Sequence, residues 1–166
     1  MIPVHRLDNA INYALDEKKS SRAENRESLE GEIDKAINKD QSEQDLFQSA
    51  IGCTIDSAFE DMCQIKKIWH KEKGVQGFHL VQSFAPGEIS PELAHQIGME
   101  FADRLLGGKF QAVVSTHLNT KCIHNHIVWN SVSMENGKKY RSNEKTYVTG
   151  VRKISDELCV KHRLSV

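Results

Sequence analysis

Three histidines set what this chain could do chemically. They lie in the run STHLNTKCIHNHIVWN, from Ser115 to Asn130. His117 closes one apolar stretch, and His124 and His126 open another. Both stretches are rich in Val and Ile and read as strands. Side chains alternate along a strand, so His124 and His126 point the same way. The polar link Leu118 to Cys122 suits a hairpin, which brings His117 alongside them. Three converging imidazoles with open positions are the pattern of a catalytic metal rather than a structural one. Two other readings compete. Such pairs also occur on solvated strand faces, and Cys122, His124 and His126 could hold a structural zinc that lacks a clear fourth ligand.

The elements that must position these residues follow from pattern. Leu7 to Leu15 has helical apolar spacing, with Asp8 as a candidate N-cap. Lys18 to Asp40 is polar and charged, and reads as an insert. Leu46 to Cys53 reads as a strand and Thr54 to Trp69 as a helix capped near Thr54 or Asp56. Gly77 to Phe84 is a strand. A helix starts at Ser90-Pro91 and stops at Gly107-Gly108. Phe110 to Thr116 and Ile123 to Met134 follow as strands. Glu135-Asn136-Gly137 then turns into a short return strand, Lys138 to Tyr140, and Asn143 to His162 is mostly helix. This order predicts an α/β (α+β) sandwich in which the two histidine-bearing strands are antiparallel neighbours. The histidines fall mid-sheet on one face, and helices cover the other.

Whole-chain numbers narrow the classes. At 166 residues the chain reads as one domain, 1–166. No apolar run approaches a membrane span, and MIPVHRLDNA carries no secretory signal. Cys53, Cys63, Cys122 and Cys159 form no CxxC pair, and read as thiols in a reducing cytoplasm. The net charge of −1 argues against a nucleic-acid partner until its distribution is considered. Glu24 to Asp61 holds 11 acidic and 3 basic residues, net −8; the remainder holds 12 acidic and 19 basic, net +7. Lys18, Lys19, Lys138, Lys139 and Arg141 are the candidate phosphate contacts. Trp69 could stack on bases; Trp129, inside a strand, reads as core. His79 reads as packed or hydrogen-bonded rather than catalytic.

Four pieces of the chain, in order, resemble the relaxases, the mobilisation nucleases of plasmids and integrative elements, in their VirD2 and MobA branch. They are RLDNAINYALDEKKS at Arg6 to Ser20, GFHLVQSFAPGEISPELAHQIG at Gly77 to Gly98, THLNTKCIHNHIVWNSV at Thr116 to Val132, and GKKY followed by RKISDELC at Gly137 to Cys159. The resemblance implies a central antiparallel sheet with helices on its faces, and transesterification by a tyrosine, leaving a 5′-phosphotyrosine and a free 3′-hydroxyl. That tyrosine falls on Tyr13. Tyr140, Tyr147 and His5 match less well as nucleophiles, and the bland alternative for Tyr13 is a core aromatic of an amphipathic helix. The resemblance implies His117, His124 and His126 as ligands of Mn²⁺ or Mg²⁺, while imidazole preference favours Zn²⁺, Ni²⁺ or Mn²⁺. Many members carry an acid where this chain has Asn119, which can still accept a hydrogen bond but adds no charge. Glu88, in the PGE segment, could cap the next helix or support the site from a loop, and the structural role is the one expected. Expected partners are single-stranded origin-of-transfer DNA with an adjacent hairpin, and accessory relaxosome and coupling proteins in a bacterial cytoplasm. The resemblance also suggests the N-terminal catalytic part of a longer protein. A rolling-circle replication initiator and a non-catalytic DNA-binding module are the alternatives.

Overall fold

The computed structural model of the chain describes residues 1–16, 47–118 and 121–166. The expected insert at 18–40, with Lys18 and Lys19, and Asn119 lie outside the described residues. Among the described residues the strands are β1 (Ile2–Val4), β2 (Gln48–Ile51), β3 (Gly77–Ser83), β4 (Ala112–His117) and β5 (His124–Asn130). They form one sheet in the order β1-β3-β5-β4-β2, and every neighbouring pair is antiparallel. The expected α/β architecture is therefore observed, with the histidine-bearing β5 at its centre.

Helices pack on both faces. One face buries Phe78, Leu80, Ala112, Val114, Ile127 and Trp129 against Ile97 and Phe101 of α3 (Pro91–Leu106) and Leu158 of α5 (Lys153–Lys161). The other buries Val113 and Val128 against Leu7, Ile11 and Ala14 of α1 (Leu7–Ala14) and Ala58 and Met62 of α2 (Ala58–Ile68). This second face is also the histidine face, so helices are not confined to the side opposite the histidines. The cause is the length of β4 and β5: their histidine-free ends, at Val113 and Val128, are apolar on that face and need a cover.

Local chemistry explains the element ends. Ser90 Oγ accepts from Leu93 N–H at 3.3 Å, Pro91 opens α3, and Gly107 ends it in the left-handed conformation. Asp8 is not the cap of α1; it is the second residue of the helix and pairs with Arg6 at 2.9 Å. Helix α2 starts at Ala58, later than expected, because Thr54 Oγ1 accepts from Ser57 N–H in a turn of its own. Strand β5 stops at Asn130, short of Met134, and the return strand shrinks to a single Val132–Lys139 bridge. Gly137 sits at φ 65° in that turn, where a Cβ would strike the Trp69 ring at 2.4 Å, so Trp69 packs on the turn. The last helix is broken: α4 (Glu144–Thr146) runs through a π-helical turn, Tyr147–Arg152, into α5.

Candidate metal centre

The histidines converge through strand register. His117 of β4 lies directly opposite His124 of β5. His126 is two residues on, on the same face. Ring centroids are 4.2 Å apart for His117 and His126, 5.3 Å for His117 and His124, and 5.0 Å for His124 and His126. One ligand nitrogen from each lies within 4.8 Å of the other two. Cys122 is not part of this group, which leaves the structural-zinc set without support among the described residues.

Each ring also has a partner behind it. His117 Nε2 lies 2.8 Å from the Ala14 carbonyl oxygen, and His124 Nδ1 lies 3.0 Å from that of Cys122. Carbonyls only accept, so both nitrogens are donors, which fixes the two tautomers. His126 Nδ1 lies 2.7 Å from His79 Nε2. These contacts turn His117 Nδ1, His124 Nε2 and His126 Nε2 inward. The donor set therefore fits a divalent cation: three imidazoles, two of them buried, each oriented by a hydrogen bond from behind.

Tyr13 hangs over this group. Leu7, Ile11 and Ala14 form the buried stripe of α1, and Tyr13 falls off it, 49% exposed. Its ring centroid is 5.2 Å from that of His126, 5.9 Å from His117 and 6.5 Å from His79. The hydrogen bond from His117 to the last residue of α1 ties the tyrosine helix to the histidine strand. Across the site, Val81 and Ser83 of β3 are exposed, and they pair in register with His126 and His124. Helix α1 thus covers one side of the cluster, and on the β3 side the neighbouring side chains, Val81 and Ser83, are exposed.

The other expected residues lie elsewhere. Glu88 Oε1 accepts from Ala85 N–H, while Oε2 accepts from the backbone and hydroxyl of Ser165. These hydrogen bonds, those from the Ser165 backbone first, hold its carboxyl below the usual range. Glu88 thus fastens the 165 region and is not joined to the histidines. Lys138, Lys139 and Arg141 follow the end of β5 opposite His124. Lys139 Nζ donates to the Lys73 carbonyl at 2.6 Å, and Lys139 and Arg141 line a hollow of about 580 Å³ with Ser131 and Tyr140. From His126 to Ser131 is roughly 17 Å at about 3.4 Å per residue. Tyr140 is half-buried against Phe78, Phe110 and Trp129, on the face away from the histidines. Trp129 is fully buried, as expected of core.

His79 was expected to be packed or hydrogen-bonded, and it is hydrogen-bonded; its partner, His126, is what sequence reasoning did not foresee. His79 is half-buried, and burial, then the N-terminal ammonium, lowers its pKa. No spacing rule singles it out, since its place beside His126 depends on β3–β5 register.

A family model described as the nuclease domain of MobA/VirD2-like relaxases matches residues 13–164. The chain is similar to two Staphylococcus aureus proteins named Protein rlx. They are 39% and 41% identical over 119 residues, which is 72% of this chain and 36% and 37% of theirs. It is also similar to the group II intron-interrupted relaxase LtrB of Lactococcus lactis subsp. cremoris, 39% identical over 71 residues, 42% of this chain and 13% of that protein. The chain spans little more than a third of the length of the rlx proteins it matches. No solved structure matches.

Proposed function

The chain belongs to the MobA/VirD2-like relaxase nuclease family, and we propose that it nicks and rejoins one DNA strand by attack of the Tyr13 hydroxyl. The observation that carries this reading is the placement of Tyr13 over His117 and His126, on the face where Val81 and Ser83 of β3 are exposed. In the cleavage step the Tyr13 oxygen forms a bond to the scissile phosphorus and the bond from phosphorus to the 3′-oxygen breaks. The phenol loses its proton and the departing 3′-oxygen gains one. The products are a 5′-phosphotyrosine and a 3′-hydroxyl. The diester energy is kept in the tyrosyl bond, so the reverse attack rejoins the strand without a nucleotide cofactor.

His117, His124 and His126 would hold a divalent cation, Mn²⁺ or Mg²⁺, with Zn²⁺ or Ni²⁺ also suited to the donors. Bound there, it would supply Lewis-acid neutralisation of negative charge on the phosphate. The protein's part is orientation. Carbonyl acceptors hold His117 and His124, the buried stripe of α1 holds Tyr13, and exposed Val81 and Ser83 leave a path for the strand. The substrate would be single-stranded origin-of-transfer DNA with a flanking hairpin, met in the bacterial cytoplasm with accessory relaxosome and coupling proteins. Lys138, Lys139 and Arg141 would contact its phosphates away from the nick; Lys18 and Lys19 are further candidate phosphate contacts.

The test is incubation with end-labelled single-stranded origin DNA and Mn²⁺, followed by a denaturing gel. A covalent protein–DNA band that maps to Tyr13 and is lost with chelator supports the reading. Metal-dependent DNA binding with no adduct would reduce the domain to a binding module.

A further inference from the structure

We infer that His79 is a positioning residue of the histidine centre, accepting the Nδ1–H of His126 so that His126 Nε2 keeps its lone pair for a cation. This rests on the metal reading proposed above. The supporting geometry is a diagonal cross-strand pair. His79 sits opposite Val128 in register, while His126 sits opposite Val81, so the two histidines are diagonal neighbours on one face. Their near nitrogens are 2.7 Å apart and their ring centroids 5.0 Å apart.

Proton counting makes the direction of this bond matter. A neutral imidazole has one N–H and one lone pair. If His126 carries its proton on Nε2, the proton faces His117 and His124 and no ion can be taken there. If it carries it on Nδ1, that N–H must find an acceptor, and His79 Nε2 is the group in place. His117 and His124 avoid this choice because their partners are the carbonyls of Ala14 and Cys122, which cannot donate. Of these three contacts, that of His126 is the one made to a side chain that can act either way. His79 is thus a replaceable group behind the ligands, and to accept from His126 it must carry its own proton on Nδ1.

Two variants of the full 166-residue chain separate positioning from packing. His79→Gln keeps an acceptor, the amide oxygen, at a comparable reach; His79→Leu keeps bulk and removes the acceptor. The readouts are Mn²⁺ affinity by titration, the visible spectrum of the Co²⁺ form, and the His126 tautomer by long-range nitrogen-15 NMR without metal. The expected results are Nδ1–H at His126 in the wild type, a mixture in His79→Leu, and a loss of affinity of about 10- to 100-fold in that variant. His79→Gln should restore most of the affinity and the Co²⁺ spectrum. Wild-type affinity and spectrum in folded His79→Leu, alongside lost binding in His124→Ala, would overturn the inference and leave the metal centre standing. Proton density on Nε2 of His126 in the wild type would overturn it even if neither variant folds. Failure of the wild type to bind Mn²⁺ or Co²⁺ would remove the metal reading and this inference together.

Discussion

At the scale of single residues the proposed mechanism would divide labour between atoms that react and atoms that aim. His124 is the best test of the ligand set, because it is only partly buried and its removal costs little packing. His124→Ala should leave the melting temperature near that of the wild type. It should also weaken Mn²⁺ binding by more than about tenfold, since one of three direct bonds is gone, and abolish metal-dependent nicking. Undiminished Mn²⁺-dependent nicking in this variant would end the metal proposal. Tyr13 is tested by a smaller change. Tyr13→Phe removes one oxygen from a ring that is half exposed, so fold and DNA binding should persist while the covalent adduct disappears on the gel. An adduct that survives and maps to Tyr140, Tyr147 or His5 would displace Tyr13 from its role; Tyr140 is already disfavoured by its burial on the far face. The legibility of these residues differed for a physical reason. His124 and His126 were readable because period-2 alternation puts them on one face, and His117 because a short link forces neighbouring strands. His79 carries no such signal. Its partner lies 47 positions away and is set by register, which a lone histidine in an apolar run does not report.

At the scale of elements, α1 is the part on which catalysis would depend most. It is eight residues long, too short to be stable alone, and so relies on its buried stripe and on the His117 bond to Ala14. Elements with a full period, α1, β3, α3, β4 and β5, were legible within a few residues. Strand β1 was not: it is three residues at the sheet edge, with a proline and an exposed Ile2. The π-helical turn before α5 was also hidden, because its residues keep a helical composition while the hydrogen-bond step lengthens. Helix α2 holds a feature that no pattern announced. Lys66 is 2% exposed, its amino group donates to the Met62 carbonyl at 3.4 Å, and burial pushes its pKa down to about 8. A lysine bound less tightly to its proton in the folded state penalises folding while it is charged. That penalty is full below pH 8, shrinks as the folded form loses its proton, and is gone by the unfolded value of 10.5, so stability rises with pH across that window. Lys66→Met fills similar volume without charge. It should stabilise the domain by about 2 kcal/mol at pH 7, or about 4–8 °C in melting temperature. The gain should fade toward pH 10.5 in melts taken across the range. A constant gain would assign the effect to packing rather than charge.

At the scale of the whole molecule, the charge is segregated rather than absent. The net of −1 hides a −8 stretch between Glu24 and Asp61 and +7 over the rest. Of that acidic stretch the described part contributes Asp56, Glu60 and Asp61, at or just before the start of α2, where negative charge suits a helix N-terminus. The basic residues after β5 are differently placed. Lys138 and Arg141 are exposed, and Lys139 and Arg141 line the hollow beside Ser131, at the end of β5 away from the histidines. A strand cleaved beside Tyr13 must therefore run the length of the sheet to meet them. Such contacts would anchor the DNA without touching the nick. Neutralising Lys138, Lys139 and Arg141 together should then weaken binding of long single strands while sparing the chemistry of strands that end near the nick. About three lost phosphate contacts, at ~0.7 counterion each, should lower the slope of log affinity against log salt by about two. The same triple variant should form the covalent adduct at the wild-type rate when a short oligonucleotide is saturating. An unchanged slope would take the DNA path off these three residues, with Lys67 and Lys71, exposed at and just after the end of α2, as the next surface to neutralise. A slower adduct at saturation would mean instead that this turn reaches the reacting phosphate, against the separation of roughly 17 Å along β5.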